Sequence, residues 1–194
     1  ESVSAMGIVG HDGCHFAPEG YSQLGDQIFR LLARDFYGSS DRAQISSPNI
    51  VQAYYTNTSH TRIGLRFAPY DTRFVIPNDT VISGVIAKIK DFFYLNDTGQ
   101  VVGSISTKDN RIFLDLKQSS SAKLITYLPD KFYDNSAIIY EGPWLTNIRG
   151  VGAFSFYHVP IVDSAQAGIL LNGVNDLSLT AYPNPSDGKF TLRY

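Results

Sequence analysis

Beyond Asp41 the apolar residues of this chain stop recurring at helical spacing and begin to alternate with polar ones, a pattern that holds through to Val159. A period of two sends successive side chains to opposite faces, so segments of this kind become strands with one buried face. The runs 49–56, 61–67, 81–95 with one break, 101–107, 111–116, 123–128 and 153–159 have this character. Turn formers separate them, among them Asn57-Thr58-Ser59, Pro77-Asn78-Asp79, Asn96-Asp97-Thr98-Gly99 and Lys108-Asp109-Asn110. In 111–116, Ile112, Leu114 and Leu116 share one face while Arg111, Phe113 and Asp115 share the other. Seven short strands with no helix among them predict a mainly β fold, specifically an antiparallel β-sandwich.

Ahead of this region the period is helical. Tyr21, Leu24, Ile28, Leu31, Leu32 and Phe36 recur every three or four residues, Pro18 suits a first turn and Gly38 a stop, which predicts one amphipathic helix over 18–37. Glu19 near its start and Arg30 and Arg34 near its end match the helix dipole. A lone helix of this length has little stability in water, so its apolar face calls for a sheet, expected to lie largely ahead of Glu1. The opening Glu1-Ser2-Val3-Ser4 has neither the basic start nor the apolar stretch of a signal peptide, and the chain reads as a fragment.

Composition narrows the classes of partner. With a net charge of −2 and Lys and Arg scattered along the chain, nothing favours nucleic acid or an anionic lipid surface, and a nucleic-acid function is excluded. No apolar run approaches the roughly 20 residues of a membrane span. The single cysteine, Cys14, rules out an internal disulfide and leaves the redox compartment open. After Pro160-Ile161-Val162 the residues turn small and polar around Asp163-Ser164-Ala165-Gln166-Ala167-Gly168, which reads as a linker. A strand, a Pro/Asn/Gly turn and the start of another strand follow over 177–192.

The chemistry concentrates in Asp12-Gly13-Cys14-His15. An acid three residues before a histidine, on a loop feeding a helix, can hold an imidazole in the tautomer that a general base needs. The plainer reading is a loop pair, with Asp12 bonding nearby amides and His15 packing at the helix start. His11, Asp12, Cys14 and His15 are also residue types that zinc accepts, but His60 and His158 stand alone in strand-like segments and supply no second ligand pair. Cys14 has no second base for nucleophilic work and is expected to be a small buried packing residue.

The block Asp12 to Gly25 resembles the last conserved block of SGNH hydrolases, in which the Asp and His of the triad precede the final helix of a three-layer α/β domain. The likeness continues through Arg34-Asp35-Phe36-Tyr37-Gly38-Ser39, similar to the end of that domain in secreted carbohydrate esterases related to sialate O-acetylesterases. The resemblance implies that Asp12 and His15 are catalytic and that the nucleophilic serine lies upstream. Gly25-Asp26-Gln27 has glutamine where the family has serine, and Gly173-Val174-Asn175-Asp176 spells the oxyanion motif on the wrong side of the histidine, in a linker.

The segment from Gly142-Pro143-Trp144 to Phe154-Ser155-Phe156-Tyr157 is similar to the end of the β-sandwich that follows the SGNH domain in those esterases. Trp144, Tyr54, Tyr55 and Tyr133 have rings able to stack on a sugar, although aromatics are ordinary in such cores. Three glycosylation sequons, beginning at Asn57, Asn78 and Asn96, fall in Asn-rich turns where they arise by chance. Tyr182-Pro183-Asn184-Pro185 with Gly188-Lys189-Phe190-Thr191-Leu192 resembles the opening of the carboxy-terminal sorting domain of the bacterial type IX secretion system. That likeness implies a protein secreted or held at the cell surface, with the secretion machinery as partner of the complete sorting domain.

The reading that results has three parts: 1–41 as the end of an SGNH hydrolase domain, 42–162 as a β-sandwich, and 163–194 as a linker and truncated sorting domain. It implies hydrolysis of O-acyl esters on an acylated carbohydrate substrate, with no cofactor and no metal. The other reading is a non-catalytic carbohydrate-binding or adhesion sandwich at the cell surface.

Overall fold

The computed structural model describes residues 2–12, 14–82, 84–128 and 142–163. The linker and sorting-domain motif, Tyr133 and the Gly173 to Asp176 motif all lie outside these residues. The helix α1 (Pro18–Phe36) comes first, followed by β1 (Asn49–Tyr55), β2 (Arg62–Ala68), β3 (Phe74–Val75), β4 (Thr80–Ile82) and β5 (Val85–Ala87). A 3₁₀ turn (Ile89–Phe92) leads into β6 (Phe93–Leu95), and β7 (Val102–Lys108), β8 (Arg111–Leu116), β9 (Leu124–Tyr127), β10 (Thr146–Asn147) and β11 (Phe156–Val162) complete the order.

The fold is mainly β, as the alternation predicts, but the expected antiparallel sandwich is replaced by one mixed sheet. Seven strands pair in the order β6-β9-β11-β1-β2-β8-β7. β1 and β11 run parallel, with Ala53 opposite Ile161, while the other pairs in this sheet are antiparallel. The 3₁₀ turn contacts both β6 and β7, the two edges, so the sheet curls into a nearly closed barrel. Twist carries a sheet of this width around until its inner face meets itself. Two short ribbons, β10 with β3 and β4 with β5, stand beside it.

One core fills the inside. Ala53 and Tyr55 of β1, Ile63, Leu65 and Phe67 of β2, Ile112 and Leu114 of β8, and Ile125 and Tyr127 of β9 are buried in one cluster. The Tyr127 hydroxyl accepts the Leu145 amide hydrogen at 3.0 Å, and burial pushes its pKa well above the ordinary phenol value. The Tyr55 hydroxyl donates to the Ala122 carbonyl at 2.9 Å, so both polar tips in the core are satisfied.

The amino-terminal segment is tied to one end of the barrel. The Ser4 amide donates to Ser47 Oγ at 2.8 Å and its own hydroxyl donates to the Ala153 carbonyl. Gly152 permits this approach, since a Cβ there would stand 2.0 Å from the Met6 carbonyl oxygen. α1 then lies on that segment through Gly20 and Gln23, and Gln27 and Leu31, both buried, continue the same stripe at helical spacing. The Gln23 amide donates to the Gly7 carbonyl at 3.0 Å and its oxygen accepts the Val9 amide at 3.3 Å, imitating a strand partner. Any Cβ on Gly20 would meet the Val9 carbonyl at 2.3 Å.

This stripe is not the apolar one. Tyr21, Ile28, Leu32 and Phe36, with Phe29 and Tyr37, remain exposed, Phe36 by 75% and Ile28 by 42%. At 100° per residue they form an arc centred about a third of a turn from the docked stripe. Of the apolar face predicted for this helix, Leu31 alone is fully buried. Among the described residues no helix is long and apolar enough to cross a membrane.

Candidate active site

The loop ahead of α1 is built as a tight reversal. His11 and Phe16 bridge as antiparallel partners, the Asp12 amide donates to the His15 carbonyl at 2.9 Å, and the Ala17 amide donates to the Gly10 carbonyl at 2.6 Å. Asp12 fixes the turn from inside, its Oδ1 accepting the amides of His15 at 2.6 Å and Cys14 at 2.9 Å. Short acidic side chains favour this geometry because the carboxylate reaches amides two and three residues on. The His15 amide first, and the Cys14 amide second, hold the Asp12 carboxyl below its ordinary range.

The second carboxylate oxygen, Oδ2, lies 3.5 Å from His15 Nδ1. That is ion-pair range and longer than a hydrogen bond. Both side chains are open to solvent, His15 by 72% and Asp12 by 65%. The sequence therefore brings together the two residues it singled out, and it does so with Asp12 also bonding nearby amides as in the plainer reading. Pro18 starts the helix three residues after His15.

Two expectations about the neighbours change. Cys14 is exposed rather than buried, because the Asx turn points residues 14 and 15 away from the barrel. His60 and His158, alone in sequence, are each paired in space. His60 Nε2 lies 3.1 Å from Asp163 Oδ1, its ring stacked on Tyr55 at 4.0 Å. His158 Nε2 lies 3.0 and 3.1 Å from the two Asp97 oxygens, its ring stacked on Tyr157 at 3.7 Å. Residues 61 and 103 positions apart leave no local sequence signal for such pairs. Among the described residues no three His, Cys, Asp or Glu side chains gather as a metal site.

The candidate sugar-stacking rings separate clearly. Tyr55 is wholly buried, which settles it as core. Tyr54 lies over Gly64 on the outer face of the sheet, where a Cβ would stand 2.6 Å from its ring, and Trp144 is half-buried beside Gly142. In the turns carrying sequons, Asn57 bonds both the amide and hydroxyl of Thr61, and Asn96 accepts the amides of Lys123 and Leu124.

Neither a family model nor a curated protein sequence matches this chain. Among solved structures it is similar to a carbohydrate acetylesterase from Xanthomonas citri, with a TM-score of 0.49 and 12% identity over 77% of the chain. The chain spans 30% of the length of that protein.

Proposed function

We propose that this chain is the carboxy-terminal part of a secreted carbohydrate esterase that hydrolyses O-acyl esters on sugars, O-acetyl esters in particular. The observation that carries the reading is the Asp12–His15 arrangement: a carboxylate locked by two amides, one oxygen facing Nδ1 of an exposed imidazole, on a loop entering α1. In this reading His15 Nε2 takes the proton of a serine supplied by a segment ahead of residue 1, and the serine oxygen attacks the ester carbonyl. Asp12 holds the imidazole and stabilises its cation; His15 then returns the proton to the departing sugar oxygen, and water releases the acid in a second round. No cofactor enters the reaction. The exposed arc of Tyr21, Ile28, Leu32 and Phe36 gives a hydrolase sheet ahead of residue 1 a surface to rest on, with 1–41 as the end of that domain and 42–162 as the unit behind it. The motif beginning at Tyr182 supports export by the type IX machinery to the surface or the medium.

The test uses the natural protein that carries this chain, with p-nitrophenyl acetate and an acetylated polysaccharide as substrates. His15→Ala should lower kcat by roughly 10³ to 10⁴, and Asp12→Asn should misorient the base with a loss of the same order. Retention of more than about a tenth of kcat by a folded His15→Ala protein would overturn the assignment. The 194-residue chain on its own should hydrolyse neither substrate faster than its His15→Ala variant.

A further inference from the structure

The barrel has two ends, and the amino-terminal segment occupies one of them. Ser4 is bound beside Ser47, at the Asn49 end of β1. Six residues later, about 20 Å along the strand, β1 ends at Tyr55 beside a cleft of about 460 Å³. That volume falls within the range of small-molecule sites.

The chemistry of the cleft is divided. Leu95, Val101, Leu116 and Ala122 line it with apolar surface, while the remaining lining residues are amides, hydroxyls and a single ammonium. Asn96, Gln100 and Gln118 supply the amides, Thr98 and Ser119 to Ser121 the hydroxyls, and Lys117 the only charge among the described lining residues. Among the described residues no acidic side chain lines the cleft.

Its walls are fixed before any ligand arrives. On one side Asn96 and Asp97 take left-handed backbone angles in a two-residue hairpin turn closed by reciprocal bonds between Leu95 and Thr98. The Asn96 side chain ties that turn to β9 and the Asp97 side chain ties it to His158 of β11. Gln100, which has no side-chain device favouring a left-handed angle, nevertheless holds φ at +59°. On the other side the Ser120 amide donates to the His60 carbonyl, Ser119 Oγ donates to the Ser59 carbonyl, and Ser120 Oγ accepts the Ala122 amide.

We propose that this cleft binds an acidic saccharide unit, a hexuronate or similar sugar acid. The apolar floor fits the C–H face of a pyranose, the amides and hydroxyls fit its ring hydroxyls, and Lys117 fits its carboxylate. Prefixed walls lower the ordering cost of binding a ligand of this size. The site shares no residue with the Asp12–His15 loop, so it stands or falls independently of the esterase reading.

The experiment titrates the full chain with a galacturonate trisaccharide and reads amide shifts by nuclear magnetic resonance, with maltotriose as the neutral counterpart. Saturable shifts confined to 95–101 and 116–122 are expected. Lys117→Gln should weaken the acidic sugar by about tenfold or more, the loss of one charge-assisted hydrogen bond, and leave the fold unchanged at this exposed position. Ser121→Trp, which fills the mouth from an exposed position, should abolish the shifts. Absence of saturable shifts up to about 10 mM sugar, maltotriose binding as tightly as the acidic sugar, or unchanged affinity in both variants would overturn the proposal.

Discussion

The barrel and the helix α1 are both amphipathic, yet only the barrel hides its apolar side. Ile63, Leu65, Ile112 and Leu114 have no exposed surface, whereas Tyr21, Ile28, Leu32 and Phe36 are each exposed by 42% or more. The difference lies in geometry rather than composition. A curling sheet presents its inner face to itself, so alternation alone finds a partner within the chain. A helix stripe must find a second element, and here the residues that touch the barrel's amino-terminal segment include Gly20, by close approach, and Gln23, by hydrogen bonding. Burial thus follows the element that can close, and the apolar stripe of α1 is left outside.

The comparison is sharpest at single side chains. Leu114→Ala, in the centre of the barrel, should cost about 2–5 kcal/mol in denaturant unfolding, while Ile28→Ser on the exposed arc should change stability by less than about 0.5 kcal/mol. Equal losses would mean that the arc is covered. A smaller effect is expected where the amino-terminal segment meets the barrel. Gly152→Ala drives a Cβ into the Met6 carbonyl, and a loss of about 1–3 kcal/mol with earlier proteolysis before Ser47 should follow.

The helix itself offers a gain. Nothing lies within 4 Å of a Cβ on Gly25, so Gly25→Ala should stabilise α1 by about 0.5–1 kcal/mol and slow amide exchange there, leaving β8 unchanged. Slower exchange in both elements together would show one cooperative unit. The smallest effect concerns pH. Because the Asp12 carboxyl is held below 3.8 in the fold, its contribution to the loop is complete above that value and fades as pH falls through the lowered one. The amide resonances of Cys14 and His15 should move in that acid window while those of β8 stay still, and Asp12→Asn should remove the movement.

Sequence carried the local features and missed the long-range ones. β8 matches its expected limits residue for residue, and β1, β2, β7 and β9 match within a residue or two, because alternation is written in the segment itself. β11 was displaced toward its start, since Pro160 has no amide hydrogen to give a ladder and reads as a strand end, although it pairs opposite Leu124. The two-residue strands β3 and β10 are too short for a period to register. A sandwich and a curled sheet share the same alternation, so the choice between them rests on pairings that no short window contains. The Asp12–His15 spacing was legible for the same reason that β8 was: three residues apart, the pair is local. The histidine–aspartate pairs at His60 and His158, and the cleft wall that the His158 pair braces, are assembled only by the barrel.

The parallel pairing of β1 with β11 joins segments more than a hundred residues apart. Contacts of such long sequence separation slow folding, because a large loop must close before the pairing is rewarded. During synthesis β1 can pair with β2 as soon as Ala68 has emerged, but its other edge has no neighbour until Phe156–Val162 is made. For that interval the chain carries an open strand edge flanked by the residues destined for its core, the arrangement most prone to capture by another copy. A ribosome pausing before residue 156 would lengthen the interval, so the carboxy-terminal strand of this barrel also serves as its guard against aggregation.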